Sequence, residues 1–164
     1  MIFLTTGTQL SFDRLVRAVD GWAGSAQPAP EIFGQVLPPR NAPYIPQNFQ
    51  TKARLTPVEY AEIFDKAHLI ISHAGMGTIL TALTRGKTIC IMPRQARYGE
   101  HRNDHQLATA RELEGMTGVA VAWDLDMLPG LLAPGHIPPA DPAPGASAES
   151  LVNHLRDFID KTPG

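Results

Sequence analysis

Cysteine is almost absent from the sequence, because Cys90 is the only one among 164 residues. A disulfide within the chain is therefore excluded, and the apolar neighbours of Cys90 predict a buried free thiol. Long apolar runs are missing as well. None approaches the roughly 18 residues that cross a bilayer, and residues 1–10 lack the basic start and apolar core of a secretory signal. We therefore expect a soluble, cytoplasmic protein with no direct membrane span.

The net charge is also small, because the 14 Lys and Arg residues nearly balance the 16 Asp and Glu residues, for a formal net charge of -2. The basic residues are scattered along the chain and form no cluster, so nucleic acid is not an expected partner. A hydrophobic content of 43% over 164 residues is enough for one sizeable core. The default expectation is a single compact domain.

Apolar segments of strand length alternate with segments of helical pattern through residue 122. Thr56, Pro57 and Glu59 mark one helix start, because Thr can cap it, Pro fits the first turn and Glu completes a capping box. This alternation predicts an α/β fold with a Rossmann-like, doubly wound parallel sheet, in which ligands bind beyond the carboxyl ends of the strands. The predicted strands are 2–5, 32–36, 68–72, 88–92 and 119–122, and the predicted helices are 57–66, 78–85 and 104–114, together with one that holds Phe12, Leu15, Val16 and Val19.

Proline-rich stretches separate and follow these elements. The polar stretch 37–50 predicts a long loop, and the stretch 134–147 predicts an extended connector. Residues 148–159 predict a docking helix, because their apolar side chains fall on one helical face. Those side chains are Leu151, Leu155, Phe158 and Ile159. The expected organisation is a ligand-binding domain over 1–133, the connector over 134–147, and the docking helix with its tail over 148–164.

The turn HisAlaGlyMetGly at 73–77 follows a predicted buried strand and precedes a predicted helix. Gly75 and Gly77 allow a ligand to approach the backbone closely, while the free amides and the dipole at a helix start attract phosphate. The alternative is that such glycines serve only a backbone conformation with positive φ. The turn by itself leaves both interpretations open.

Three stretches of the sequence together form a further pattern. Residues 72–93 read SHAGMGTILTALTRGKTICIMP, residues 1–8 read MIFLTTGT, and residues 100–106 read EHRNDHQ. Residues 72–93 resemble the signature of the carboxyl-terminal, donor-binding domain of family 28 glycosyltransferases. Residues 1–8 resemble its opening strand, and residues 100–106 resemble its sugar-facing segment. The resemblance extends over about residues 1 to 122 and implies one half of a GT-B glycosyltransferase.

The resemblance implies a UDP-sugar as the donor substrate, no cofactor, and a nucleotide site around the glycine turn. The residues that it implies for nucleotide binding are Gly7, Thr8, Gly75, Met76, Gly77, Thr78 and Thr81. One departure concerns Thr81, because many relatives carry Glu there, where a carboxylate can accept hydrogen bonds from ribose hydroxyls. Thr81 can do so only weakly, which predicts an effect on nucleotide affinity or ribose selection.

The same resemblance places the transferred sugar near residues 94–106. The residues that it implies for sugar binding are Arg94, Glu100, His101, Asp104, His105 and Gln106. Arg94 or Arg97 could meet a carboxylate on the sugar. Candidates for acid or base catalysis are His73, Glu100, His101 and His105, because imidazole titrates near neutral pH and a nearby carboxylate can raise its pKa. Of these, His73 and His105 are the predicted catalytic residues. For His73, a structural role in fixing the loop is the alternative.

Some of these residues also carry ligand types that suit zinc or manganese, namely Glu100, His101, Asp104 and His105. The resemblance instead implies transfer without a metal, so no metal site is expected. Asp124 and Asp126 form an Asp-Xaa-Asp pair, which we interpret as a solvated turn.

In length and motif the chain resembles the small subunits of split family members, namely dolichol-pathway N-acetylglucosaminyltransferases and bacterial exopolysaccharide glucuronosyltransferases. This similarity implies a hexosyltransferase that works with a membrane-attached, acceptor-binding partner subunit and a lipid-linked sugar acceptor. The partner would recruit the chain to the inner face of the cytoplasmic membrane. The alternatives are a non-catalytic nucleotide-sugar-binding or regulatory subunit and a UDP-sugar epimerase of related architecture.

Overall fold

The computed structural model describes residues 1–38 and 44–138, which form a parallel sheet with helices on both faces. The strands are Ile2–Thr5 (β1), Ile32–Gln35 (β2), Gln50–Lys52 (β3), Leu69–His73 (β4), Thr88–Met92 (β5) and Val119–Val121 (β6). The helices are Asp13–Ser25 (α1), Pro57–Lys66 (α2), Met76–Thr84 (α3), His105–Leu113 (α4) and Leu128–Leu131 (α5). Two short 3₁₀ turns cover Ala96–Tyr98 and Leu125–Met127.

The strands of the 6-stranded sheet lie in the order β3-β2-β1-β4-β5-β6, and every neighbouring pair is parallel. The order reverses between β1 and β4, so the connections leave these two strands towards opposite edges of the sheet. In doubly wound sheets such a reversal opens a crevice outside the carboxyl ends of the strands. The predicted Rossmann-like α/β fold is confirmed, and its crevice lies where β1 and β4 end.

Two apolar cores hold the sheet between its helices. The central strands β1, β4 and β5 bury side chains on both faces, as central parallel strands do. Leu4, Ile71 and Cys90 belong to the core under α1, whereas Phe3 and Ile70 belong to the core under α2 and α3. Burial raises the pKa of the Cys90 thiol to about 12, so the prediction of a buried free thiol is confirmed.

Local sequence signals account for two of the helix ends. At the start of α2, the Glu59 amide donates to Thr56 Oγ1 at 3.2 Å and the Thr56 amide donates to Glu59 Oε2 at 2.7 Å. This is the predicted capping box, with Pro57 in the first turn. α3 ends before Gly86, whose φ of 62° lies in the left-handed region that favours glycine.

Some predictions of local structure need correction. α3 begins at Met76 and not at Thr78, so only Ala74 and Gly75 separate it from β4. β3 was not predicted, because its side chains are exposed and polar and it forms only by pairing with β2. The short helix α5 was also missed, although it buries Leu128 in the core under α1.

Other predictions fall partly or wholly outside the described residues. The connector 134–147 is described only through Pro138, and the docking helix 148–159 lies outside altogether. Residues 39–43 of the predicted loop also lie outside. Among the described residues, no helix combines the length and the apolar character that a membrane crossing requires.

Candidate functional site

The crevice at the carboxyl ends of β1 and β4 is a polar cleft of about 260 Å³. Its walls come from the loop after β1, the last residue of β4, and the segment that leads from β5 into the first turn of α4. The lining residues are Thr6, Gly7, Thr8, Gln9, Leu10, His73, Arg94, His101 and Gln106. The fold therefore gathers predicted site residues from three separate parts of the sequence.

A larger groove of about 570 Å³ lies at the opposite, amino ends of the strands, beside Ile2, Leu69 and Thr88. Its lining is mostly apolar and includes several alanines and prolines. The smaller cleft has the convergent polar groups and lies at the switch point of the sheet. We therefore place the candidate site in the smaller cleft.

The amino terminus of α3 opens beside this cleft. Gly75 is its N-cap, and no described side chain caps the helix. The amides of Met76, Gly77 and Thr78 lie in the first turn, where N–H groups have no acceptor within the helix. A Cβ built on Gly77 would have no described atom within 4 Å, so the outer side of this turn is open. The arrangement suits an anion, because the free amides and the helix dipole both favour negative charge.

His73 fills the space between two glycine-containing loops. A Cβ built on Gly75 would lie 2.3 Å from His73 Nε2, and one built on Gly7 would lie 3.1 Å from His73 Cε1. Gly7 also has a φ of 75°, which favours glycine by itself. The two glycines of the predicted phosphate turn therefore differ in their surroundings: Gly75 makes room for the imidazole, and Gly77 borders open space.

The imidazole of His73 is neutral at physiological pH. Burial lowers its pKa to about 4, and the nearby charge of Arg94 acts in the same direction, while a hydrogen bond with the backbone of Thr5 opposes the shift. A ring with so low a pKa holds a proton poorly, and its position between the loops favours the loop-fixing alternative. The catalytic role of His73 stays a prediction.

The pKa of His73 predicts a specific acid sensitivity of the fold. The unfolded chain titrates this group near 6.5 and the folded chain near 4, so between these values the unfolded state binds more protons. Lowering the pH through this window should reduce the free energy of unfolding by up to about 3 kcal/mol. Urea denaturation at pH 7 and at pH 4.5 measures the loss.

His73→Gln is the matched variant for this measurement, because it removes the titrating group and keeps a polar side chain. Its stability should depend less on pH between 6.5 and 4, apart from a contribution of His68, whose pKa burial also lowers. Burial acts to raise the pKa of Asp20, but hydrogen bonds from Tyr44, Gln47 and Asn48 outweigh it and hold the pKa below its ordinary value, so this carboxylate titrates below the window. An equal loss of stability in the variant and the wild type would show that His73 does not cause it.

Two of the residues predicted to bind the sugar form hydrogen bonds with other parts of the protein. Arg94 is 2% exposed, and its guanidinium donates to carbonyl groups of the loop after β1. Glu100 forms an ion pair with Arg14, at 2.7 Å between Glu100 Oε1 and Arg14 Nε, and accepts a hydrogen bond from the Gln95 amide. Arg97, by contrast, is exposed. Of the two arginines predicted to meet a carboxylate, Arg97 is the accessible one.

The other residues predicted for the sugar lie in two places. His101 and Gln106 line the cleft, and Gln106 Oε1 accepts a backbone hydrogen bond at 3.1 Å. Asp104 and His105 are not among the lining residues. Asp104 Oδ1 accepts a backbone hydrogen bond at 2.8 Å, and His105 is the first residue of α4.

Sequence reasoning missed several residues of the site. Gln9 and Leu10 line the cleft, but exposed loop residues carry neither a periodic pattern nor a motif that would identify them. Arg14 was missed because its partner Glu100 is 86 positions away in the sequence. Thr81, which was predicted, donates its hydroxyl hydrogen to the Gly77 carbonyl at 2.7 Å.

Metal-binding side chains do not form a cluster among the described residues. No group of three or more His, Cys, Asp or Glu residues there could hold a metal ion. Glu100 and Asp104 instead accept hydrogen bonds from backbone amides. Asp124 and Asp126 are exposed at the 3₁₀ turn Leu125–Met127, which confirms that this pair is a solvated turn.

Comparison with protein families identifies the domain. The model of the glycosyltransferase family 28 C-terminal domain matches residues 1–120. The chain belongs to this family. The matched range contains every residue that lines the cleft, so the candidate site lies within the family domain. A comparison with curated protein sequences gives no significant match.

Solved structures share the fold of this family 28 domain. The solution NMR structure of ALG13 is 18% identical, with a TM-score of 0.63, over 94% of this chain and 94% of that one. MurG of Acinetobacter baumannii is 21% identical, with a TM-score of 0.57, over 79% of this chain and 39% of that one. The glycotransferase of kitacinnamycin is 18% identical, with a TM-score of 0.57, over 95% of this chain and 39% of that one.

These similarities define the architecture of the chain. It spans 39% of the length of MurG and of the kitacinnamycin enzyme, but 94% of the length of ALG13. The expected fold is confirmed: the chain has the Rossmann-like fold of the C-terminal half-domain of GT-B glycosyltransferases.

Proposed function

We propose that the chain is the donor-binding subunit of a UDP-sugar glycosyltransferase that consists of two different chains. One observation carries the proposal: the uncapped amino terminus of α3 opens beside a polar cleft at the switch point of a family 28 domain. A helix start in this position is suited to the diphosphate of a nucleotide sugar.

The diphosphate would lie over the first turn of α3. The amides of Met76, Gly77 and Thr78 point out of the helix start, and the open space beside Gly77 admits the phosphate oxygens. Thr8, which is exposed on the facing loop, would supply a hydroxyl donor from the opposite wall. The negative charge that develops on the departing UDP would be stabilised by the same amides during transfer.

The sugar would extend from the diphosphate towards the segment between β5 and α4. His101 and Gln106 line the cleft and can hydrogen-bond with sugar hydroxyls. Arg97 is exposed in the same segment but lines a separate groove together with Asp104, not this cleft. The proposed donor carries a glucuronosyl or an N-acetylglucosaminyl group.

The proposed reaction is the attack of an acceptor hydroxyl on the anomeric carbon of the donor, with inversion. A bond forms between the acceptor oxygen and the anomeric carbon, the bond from that carbon to the diphosphate breaks, and UDP leaves with the electron pair. The acceptor proton passes to a base, for which His105 and His73 are the candidates in this chain. The neutral His73 ring can accept a proton, although its pKa of about 4 makes it a weak base.

The acceptor site would come from a second chain. A GT-B enzyme closes its cleft with two domains, and this chain supplies one of them. We propose a membrane-attached partner that completes the cleft, presents a lipid-linked sugar, and holds this subunit at the inner face of the cytoplasmic membrane. Such a pair would act in polysaccharide biosynthesis.

Calorimetric titration of the purified chain tests the donor site. UDP should bind saturably, and uridine should bind about tenfold more weakly or not at all, because it lacks the diphosphate that the helix start receives. UDP-glucuronic acid and UDP-N-acetylglucosamine then rank the two donor sugars. Equal binding of UDP and uridine, or no saturable binding of UDP, would contradict the proposed site.

Thr81 supports a second candidate function, that of a non-catalytic nucleotide-sugar-binding or regulatory subunit. Its hydroxyl donates to the Gly77 carbonyl, and the position lacks the carboxylate that many relatives offer to the ribose. A subunit with a weaker ribose contact could bind nucleotide sugar without turnover. Binding of UDP-sugar by the chain together with its partner, in the absence of transfer to any acceptor, would favour this alternative.

A further inference from the structure

Arg94 is the most completely enclosed charged residue at the cleft, with 2% of its surface exposed. Nη2 donates to the Thr6 and Leu10 carbonyls at 2.8 Å each, and Nη1 donates to the Ser11 carbonyl and, at 3.3 Å, to the Glu100 carbonyl. The guanidinium therefore uses both of its terminal nitrogens on backbone oxygens. It has little hydrogen-bonding capacity left for a substrate.

The contacts of Arg94 connect separate parts of the chain. Thr6, Leu10 and Ser11 belong to the loop after β1, whereas Arg94 itself follows β5. The guanidinium carbon also lies 4.7 Å from the centre of the Phe12 ring, which is 1% exposed. Burial of a charge is costly unless its donors are satisfied, so this loop conformation and the buried arginine depend on each other.

Glu100 forms further contacts between the same parts of the chain. Its carboxylate receives two hydrogen bonds from Arg14 of α1, at 2.7 and 3.0 Å, and one from the Gln95 amide at 3.0 Å. Arg14 also donates to the Pro93 carbonyl at 3.3 Å. The loop after β1, helix α1 and the segment after β5 are thus joined by two arginines and one glutamate.

We propose that Arg94 is a positioning residue that holds the loop 6–11 in the conformation that receives the nucleotide, and that it is not a ligand of the sugar. The proposal rests on the proposed function, because the loop supplies Gly7 and Thr8 to the donor cleft. A rigid wall lowers the cost of binding, since the loop does not have to be ordered by the ligand. Lysine cannot replace the residue, because an ammonium group cannot span the separate carbonyl groups that a planar guanidinium reaches.

The test compares Arg94→Lys with the wild type at a temperature well below both unfolding midpoints. The variant should lose about tenfold in UDP affinity by calorimetry, although the charge is retained and the chain is folded. Arg85→Lys is the matched control, because Arg85 is exposed at the far end of α3 and pairs with Asp65. Its UDP affinity should equal that of the wild type. A wild-type UDP affinity in Arg94→Lys would overturn the proposal.

Hydrogen exchange supplies a readout that does not depend on UDP. In Arg94→Lys, the amides of residues 6–11 should exchange about tenfold faster than in the wild type, while the strands β4 and β5 keep their protection. Unchanged exchange in 6–11 would also overturn the proposal. If the wild type binds no UDP and the exchange of 6–11 still depends on Arg94, then the proposed function fails and the positioning of the loop stands.

Discussion

Gly77→Trp is expected to abolish UDP binding while leaving the fold intact. A side chain at this position projects into open space, because a Cβ would have no described atom within 4 Å and the backbone does not require a positive φ. The indole would therefore fit the free protein and occupy the space that the diphosphate needs. Calorimetry should show a loss of at least about a hundredfold in UDP affinity.

Gly77→Ala is the control for this variant. A methyl group is too small to fill the ligand space, and alanine favours the first turn of α3 over glycine by up to about 1 kcal/mol. The alanine variant should melt at the wild-type temperature or above it and should retain UDP binding. If Gly77→Trp is folded and binds UDP like the wild type, the nucleotide does not lie over this turn.

Gly75→Ala is expected to have the largest effect on stability. The new Cβ would lie 2.3 Å from His73 Nε2, so the half-buried ring would have to shift. Overpacking of this kind should reduce the free energy of unfolding by about 2 to 3 kcal/mol. Urea denaturation of the variant and the wild type at pH 7 measures the difference.

A double-mutant cycle identifies the cause of that loss. His73→Ala removes the ring, and in this background Gly75→Ala should cost less than about 1 kcal/mol, because the backbone at Gly75, with φ -96° and ψ 125°, accepts any residue. The coupling between the two positions should then be about 2 kcal/mol. Additive effects of the two substitutions would mean that His73 is not the reason for glycine at position 75.

The sequence predicted most of the sheet, because its central strands are local features. β1 and β5 are buried on both faces and consist of apolar residues apart from one terminal threonine each, and their predicted bounds agree with the structure. The same holds for α2, whose capping box lies within four consecutive residues. β3 offers no such signal, since its exposed, polar residues become a strand only through pairing with β2.

The candidate site was predictable where a motif spans a few neighbouring residues. The turn at 73–77 and the uncapped start of α3 were found in this way, apart from a shift of two residues in the helix start. The purpose of Gly75 was not predictable, because it depends on where the His73 ring lies after folding. The resemblance implied a sugar-binding role for Arg94 and Glu100, which stays a prediction. Their hydrogen bonds to residues 83 to 88 positions away could not be predicted from the local sequence.

A single GT-B half explains why the chain is proposed to need a partner. The helix start and the cleft provide groups that can hold a donor, but the facing domain that would hold an acceptor is not among residues 1–38 and 44–138. Under this proposal, donor binding would be a property of this chain, and transfer would be a property of the assembled pair. The first can be measured on this chain alone.

Titration of the ¹⁵N-labelled chain with UDP, followed by amide chemical shifts, tests the placement of the donor site most directly. The largest shifts are expected for the amides of Gly75–Thr78, with smaller ones for Gly7 and Thr8 across the cleft. Shifts confined to the apolar groove at the amino ends of the strands, or no shifts at millimolar UDP, would contradict a donor site at the start of α3.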